Sequence, residues 1–299
     1  MNRTPNTARI FNAARSISAM ALLAAGTAQA QQWPVKPVRV VIHQPAGGPT
    51  DLVPRAMFNQ MGPKLGQPFV VENRPGAGGI VGLDACAKAA PDGYTFCMTN
   101  NAFPTLPLAN AKLPFDTQKD FSATALFGVL ETLIVVNAGV PATTLRELLE
   151  LARTKPGSLA FSTIGQGSGA HLHLEWFRTR GFDMLHVPYK GGEAALNAAV
   201  SGEVQITINA TGRTLPMIKA GKVRALATVG DQPSAFIPGM RSVVELGYDV
   251  NLGNWIGMLT PAGTPEAVVR RMNAEINLHL RDEAFAKQYV LTQGIVPTA

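Results

Sequence analysis

Apolar positions along the chain fall into short runs, broken by glycine, proline and amide residues, and the runs alternate between strand-like and helix-like spacing. Val38 to Ile42 is an apolar run of strand length, interrupted by Arg39 alone. It leads into His43-Gln44-Pro45-Ala46-Gly47-Gly48-Pro49-Thr50-Asp51, after which Leu52, Val53, Ala56, Met57 and Met61 share one helical face. That order predicts strand, Gly-rich turn, helix, with Pro54 tolerated in the first turn and Gly62-Pro63 as the stop. Phe69-Val70-Val71 then predicts a strand, and Glu72 to Gly79 a turn before a small-residue helix reaching Ala90. Pro91-Asp92-Gly93 turns the chain into a third strand, Tyr94 to Met98. The order βαβαβ is that of a parallel sheet covered by helices.

A long β-rich stretch, Phe121 to Val136, is interrupted by Glu131-Thr132, where the chain is expected to pass into a second lobe. Thr144-Leu145-Arg146-Glu147 has capping-box spacing, Leu145, Leu148, Leu149 and Ala152 form one face, and Lys155-Pro156-Gly157 is the stop. The strand, Gly-rich turn and helix order then recurs: Leu159 to Thr163, the turn Gly165-Gln166-Gly167-Ser168-Gly169-Ala170, and a helical pattern from His171. Further strands are expected at His186 to Tyr189, Val204 to Ile208 and Val223 to Val229, with a helix over Glu193 to Val200 and a loop beyond Asn209. A strand at Asn254 to Leu259 is expected to cross back, followed by a helix from Thr264 to Leu280. Two crossings give an α/β body of two hinged lobes. The expected division is residues 31–130 and 254–299 for the first lobe and residues 131–253 for the second.

The two Gly-rich turns carry the candidate chemistry. Adjacent glycines let the main chain approach a ligand, and the following helix start offers unpaired N–H groups, an arrangement that suits an anion. Open α/β sheets bind ligands beyond the carboxyl ends of their strands. The candidate ligand-binding residues are therefore Gln44, Ala46, Gly47, Gly48, Thr50 and Asp51 at the first turn and Asn100 at the third strand end. The second turn adds Thr163, Gly165, Gln166, Gly167, Ser168 and His171, and the strand end near Ile208 adds Asn209 and Arg213. Asp51 stands equally well as a ligand contact or a helix cap.

Charge and cysteine usage narrow the setting. The first thirty residues hold Arg3, Arg9 and Arg15 with no acidic residue, an apolar segment from Ile17 to Ala25, and Ala28-Gln29-Ala30, the pattern of a cleaved secretory leader. Its loss removes three of the 26 basic residues and none of the 20 acidic ones, so the net charge falls from +6 to +3. Without a Lys/Arg run or a basic helix stripe, neither nucleic acid nor a membrane surface is an expected partner. Cys86 and Cys97 are expected to be reduced core residues, one in a helix and one in a strand. His171, His173 and Glu175 do not form a metal site at helical spacing, because only His171 and Glu175 share a face, and His173 is expected to be solvated. The segment Gly165-x-Gly167-x-x-Ala170 offers a weaker alternative, a secreted dinucleotide-binding oxidoreductase, but the next strand ends in Pro188-Tyr189-Lys190 where an acidic residue should sit. No nucleophile and base pair lies at a convincing spacing, so no catalytic residue, cofactor or metal is expected.

Several longer motifs carry a resemblance: Gly47 to Asp51, Glu72-Asn73-Arg74-Pro75-Gly76-Ala77-Gly78-Gly79, Ala90 to Tyr94, Gly165 to Ser168, His186-Val187-Pro188-Tyr189-Lys190-Gly191, Ile218 to Ala227 and Pro261 to Pro265. In this order they resemble the Bug family of extracytoplasmic solute receptors of tripartite tricarboxylate transporters. The resemblance implies a two-lobe Venus-flytrap fold in which main-chain groups of two loops, partly through water, hold a ligand carboxylate. It also implies a periplasmic, monomeric receptor for a small organic acid, read by membrane permease subunits or by a sensor protein. Gln44 stands where the family usually has an aromatic residue, and Asn209-Ala210-Thr211-Gly212-Arg213 replaces an Asp-containing segment. The family continues past the last strand with one more helix, so the expectation is either a return segment truncated at Ala299 or the absence of that helix.

Overall fold

The computed structural model describes residues 33–110 and 112–298; the expected leader lies outside the described residues. Lys36–Ala299 forms one compact unit. It contains two sheets. The first has six strands in the order β11-β4-β10-β3-β1-β2, and the second five in the order β7-β6-β8-β5-β9.

In the first sheet, β1 (Val38–Ile42) lies between β2 (Phe69–Asn73) and β3 (Thr95–Asn100), parallel to both. Every residue of β3 is buried, as are four of five in β1, which is why Val40-Val41-Ile42 and Phe96-Cys97-Met98 read as short apolar runs. Helix α1 (Pro49–Leu65) runs through Gly62 and Pro63 rather than stopping there. A proline in the last turn removes little from the helix, and Gly66 with φ 75° ends it instead. Helix α2 (Ile80–Ala87) crosses the sheet between β2 and β3.

Cys86 of α2 and Cys97 of β3 form a disulfide, which corrects the expectation of free thiols. Helix and strand were read correctly and both residues are buried. Packing α2 on the sheet sets their Cα atoms 6.2 Å apart, within bridging distance.

The chain leaves the first sheet at the end of β4 (Phe121–Leu130) and enters the second at β5 (Thr132–Asn137), with Glu131 alone between them. The capping box at Thr144 and Glu147 is formed and opens α3 (Leu145–Thr154). Its buried face, Leu145, Leu148, Leu149 and Ala152, packs into a core with Phe161, Leu174 and Phe177. Each such leucine contributes roughly 1.5–3 kcal/mol. Then come β6 (Ala160–Thr163), α4 (Gly169–Arg178), β7 (Leu185–Pro188), α5 (Gly192–Ser201) and β8 (Ile206–Ala210).

A helix, α6 (Thr211–Lys219), follows β8 directly where a loop was expected. Gly212, Thr211, Thr214 and Pro216 all argue against a helix locally, and burial of Thr211 and Thr214 overrides them. The chain passes through β9 (Val223–Thr228) and recrosses at β10 (Asn254–Pro261), which lies antiparallel between β3 and β4. Helix α7 (Glu266–Arg281) and short helical turns lead to β11 (Ile295–Val296), which pairs with β4.

Candidate functional site

The first turn is held from below by Asp51. This residue is 3% exposed, and its Oδ2 accepts the Gly47 N–H at 2.9 Å. Its Oδ1 accepts from Arg55 Nη2 at 2.6 Å and from Asn73 Nδ2 at 3.2 Å, and the same Asn73 amide reaches the Gln44 carbonyl. Gly48, not Asp51 or Thr50, is the N-cap of α1. Gly47 N–H is therefore taken, while the Gly48 and Thr50 N–H groups find no acceptor among the described residues. Ala46 and Gly47 are exposed, and Thr50 is buried. His43 points inward, donating Nδ1–H to the Met98 carbonyl at 2.9 Å, and burial holds its pKa down.

The second turn is self-braced. Gly165 and Gly167 have φ of 115° and 74°, conformations that side chains rarely adopt. Thr163 Oγ1 accepts the Gly165 N–H at 3.1 Å, Ser168 Oγ donates to the Gly165 carbonyl at 2.7 Å, and His171 Nδ1 accepts the Gly167 N–H at 3.2 Å. Ser168 is the N-cap of α4, so the helix starts at Gly169, two residues before the apolar pattern suggested. The Gln166, Gly169 and Ala170 N–H groups have no acceptor among the described residues. His171 and Glu175 share a face as their spacing requires, 3.5 Å apart. His173 is not solvated as expected: it is 1% exposed and bonds the Gly169 carbonyl through Nδ1, because it falls on the core face with Ala170, Leu174 and Phe177.

The remaining candidates lie between the lobes. Asn209 Nδ2 donates to the Gly192 carbonyl at 2.6 Å, fixing the start of α5 against the start of α6. Arg213, in the first turn of α6, sends its guanidinium to the opposite lobe, where Nη2 donates to the Gly47 carbonyl at 3.3 Å. Its Nη1 lies so close to Gly192 that a Cβ there would be 2.9 Å away. On the other side, a Cβ on Gly169 would be 3.0 Å from Asn101 Nδ2, so the start of α4 faces the end of β3. Asn100 itself bends inward, its Oδ1 accepting the Ala102 N–H. The two Gly-rich turns thus sit diagonally, each opposite a partner from the other lobe. No hydrogen bond joins them directly among the described residues.

Three residues of this arrangement escaped the candidate set: Asn73, His186 and Gly192. Gly191-Gly192 after a strand repeats the first turn's signal, and Asn73 stands at a strand end, so two of the three were accessible by the same rule. His186, which meets Thr163 Oγ1 at 2.7 Å, carried no such signal.

Comparison with known proteins decides the family. The tripartite tricarboxylate transporter family receptor pattern matches residues 53–297. The chain belongs to this receptor family. It is thereby a member of a periplasmic solute-binding family, not of an enzyme family. It is similar to the protein BugT of Bordetella pertussis, 32% identical over 91% of this chain and 85% of the relative. Among solved structures it is similar to the periplasmic binding protein BugD, 30% identical with a TM-score of 0.78 over 89% of each chain. It is also similar to MatC of Rhodopseudomonas palustris with bound malate, 29% identical with a TM-score of 0.76 over 89% of this chain and 91% of that one.

Proposed function

We propose that this receptor takes a small organic acid into the cleft between its lobes and delivers it to permease subunits of a tripartite transporter or to a sensor protein. The lobes are residues 31–130 with 254–299, and residues 131–253. The ligand carboxylate is held by free N–H groups of the turns at Gly47-Gly48 and Gly165 to Gly169, with Gln44, Asn100 and Asn209 around it. Asp51, Thr163 and Ser168 keep those turns in shape. The observation that carries this reading is Arg213 bonding the Gly47 carbonyl across the lobes, which puts a cation beside unclaimed N–H donors. Cleavage after Ala30 releases the mature chain to the periplasm. The malate in the related MatC structure supports a carboxylate.

Arg213 adds a second acidic group to the ligand's description. Its fork of donors uses one N–H on Gly47, leaving others for a second carboxylate. Mass spectrometry of ligand released from the purified protein, followed by calorimetric titration of that acid, tests the reading. Binding without turnover is expected; consumption of the acid, or a released ligand without a carboxylate, would sink it.

A further inference from the structure

The second turn rests on an imidazole in one protonation state. A backbone N–H can only donate, so the 3.2 Å contact from Gly167 to His171 Nδ1 requires a bare lone pair there. The ring proton then belongs on Nε2, and Nε2 faces Glu175 Oε1 at 3.5 Å, which needs a proton in that place. Two independent neighbours therefore fix one neutral tautomer. His171 has its nitrogens directed at Gly167 and Glu175, so neither is left for a ligand.

We infer that His171 is a positioning residue whose neutral imidazole holds the second turn in its ligand-binding shape, and that protonating it lowers ligand affinity. The inference rests on the reading of that turn as a carboxylate site. A proton on Nδ1 would aim one N–H at another. Gly167 would have to turn away, taking with it the neighbouring Gln166 and Gly169 N–H groups, which have no acceptor among the described residues. A second imidazole lies beneath: the His186 ring is 4.5 Å from His171 and bonds Thr163 Oγ1, which in turn accepts the Gly165 N–H. Both imidazoles thus touch the turn, one directly and one through Thr163.

The charged groups around His171 bear on the sign. On its own helix are Glu175 and, one turn on, Arg178, which bonds Glu175 at 2.7 Å. Asp183 lies 3.9 Å from Arg178, and β7 contributes His186. Burial, then His171 and Arg178, holds His186 below the ordinary imidazole range. From the first lobe the neighbour is the uncharged Asn101. Glu175 already pairs with Arg178, so an imidazolium at His171 adds one positive charge that favours an anion, and the lost turn contact outweighs it.

Two measurements on the full chain test this. Without any ligand, the Gly167 amide resonance is followed by NMR from about pH 8 to pH 5. It should move in the native protein and stay in place in His171→Asn, whose Oδ1 can accept the same N–H without titrating. Calorimetry with malate, succinate and glutarate at about pH 8 and pH 6 then reads affinity. The native protein should weaken by roughly 3- to 10-fold on acidification, the equivalent of one hydrogen bond. His171→Ala should be weak at both values, and His171→Asn should restore binding with a flat profile. A Gly167 resonance that does not move, an Asn variant that keeps the native pH dependence, or binding that tightens in acid would each overturn the inference. If none of the three acids binds the native protein, the proposed ligand class fails, while the Gly167 titration still decides the role of His171.

Discussion

At the residue scale, a buried carboxylate supports an anion-binding turn instead of opposing it. Burial alone would raise the Asp51 pKa, but the Gly47 N–H, then Arg55 and Asn73, outweigh it and hold the group below the ordinary carboxylate value. A depressed folded pKa contributes stability that is present above the unfolded value and is lost as pH falls through the folded one. Asp51→Ala leaves the Gly47 N–H without its acceptor and takes the carboxylate from Arg55, which keeps the Val71 carbonyl and Asn73 Oδ1, so urea denaturation at neutral pH should show a loss of about 1–3 kcal/mol. The variant's stability should also fall less steeply below about pH 4 than that of the native protein, since the unfolded carboxyl titrates near 3.9. His43 and His173 act with the same sign at a higher pH: burial lowers both pKa values, so unfolding takes up protons and stability falls as pH drops below about 6.5. Arg213 belongs to function. Arg213→Ala should weaken dicarboxylate binding by roughly 1.5–3 kcal/mol, as for a hydrogen bond to a charged group, while leaving the melting temperature in place. Equal affinity by calorimetry would put Arg213 outside the ligand's reach.

At the element scale, β1, β3 and β8 were legible because their apolar residues are buried on both faces, and the turns because glycine and proline punctuate them. The crossing at Glu131-Thr132 was legible from a charged break in a long β-rich stretch. What escaped was set by tertiary contacts. Helix α6 has a weak local pattern and exists through burial of Thr211 and Thr214. The Cys86–Cys97 bridge depends on how α2 lies on β3, which spacing cannot report. The turns' positions were readable but not their diagonal pairing, since Arg213 reaching Gly47 is a contact across 166 residues of sequence. The disulfide closes a short loop, with a sequence separation of 11, so replacing both cysteines by serine should cost about 3 kcal/mol on the chain-entropy account. Non-reducing peptide mass spectrometry should find the linked pair. A thermal midpoint unaffected by reductant would show that the bridge adds nothing to the packing of α2.

At the scale of the whole molecule, four segments meet where the lobes join: the crossing strand, α6, the loop at Ser234-Ala235 and the return segment. Glu131, 7% exposed, accepts from Thr211 Oγ1 at 2.8 Å, Ser234 Oγ at 2.7 Å and the Ala235 N–H at 2.7 Å. Its own N–H donates to the Gly294 carbonyl, and its carbonyl accepts from Thr211 N–H, so all four segments share one residue. Gly212 closes the joint. A Cβ there would meet the Thr292 carbonyl oxygen and lie 2.6 Å from the Gln293 carbonyl carbon, both backbone atoms that cannot swing aside. Arg213 is the next residue along, so whatever displaces Gly212 also withdraws the guanidinium from Gly47. Gly212→Ala should therefore lower stability by roughly 1–3 kcal/mol, the cost of overpacking, and weaken dicarboxylate binding as Arg213→Ala does. Gly253→Ala is the control, because its Cβ would come no nearer than 3.7 Å to its neighbour. Urea melts and calorimetry on both variants separate the effects. A Gly212→Ala protein that melts and binds like the control would mean that the joint between the lobes yields freely and that Arg213 is not held in place by it.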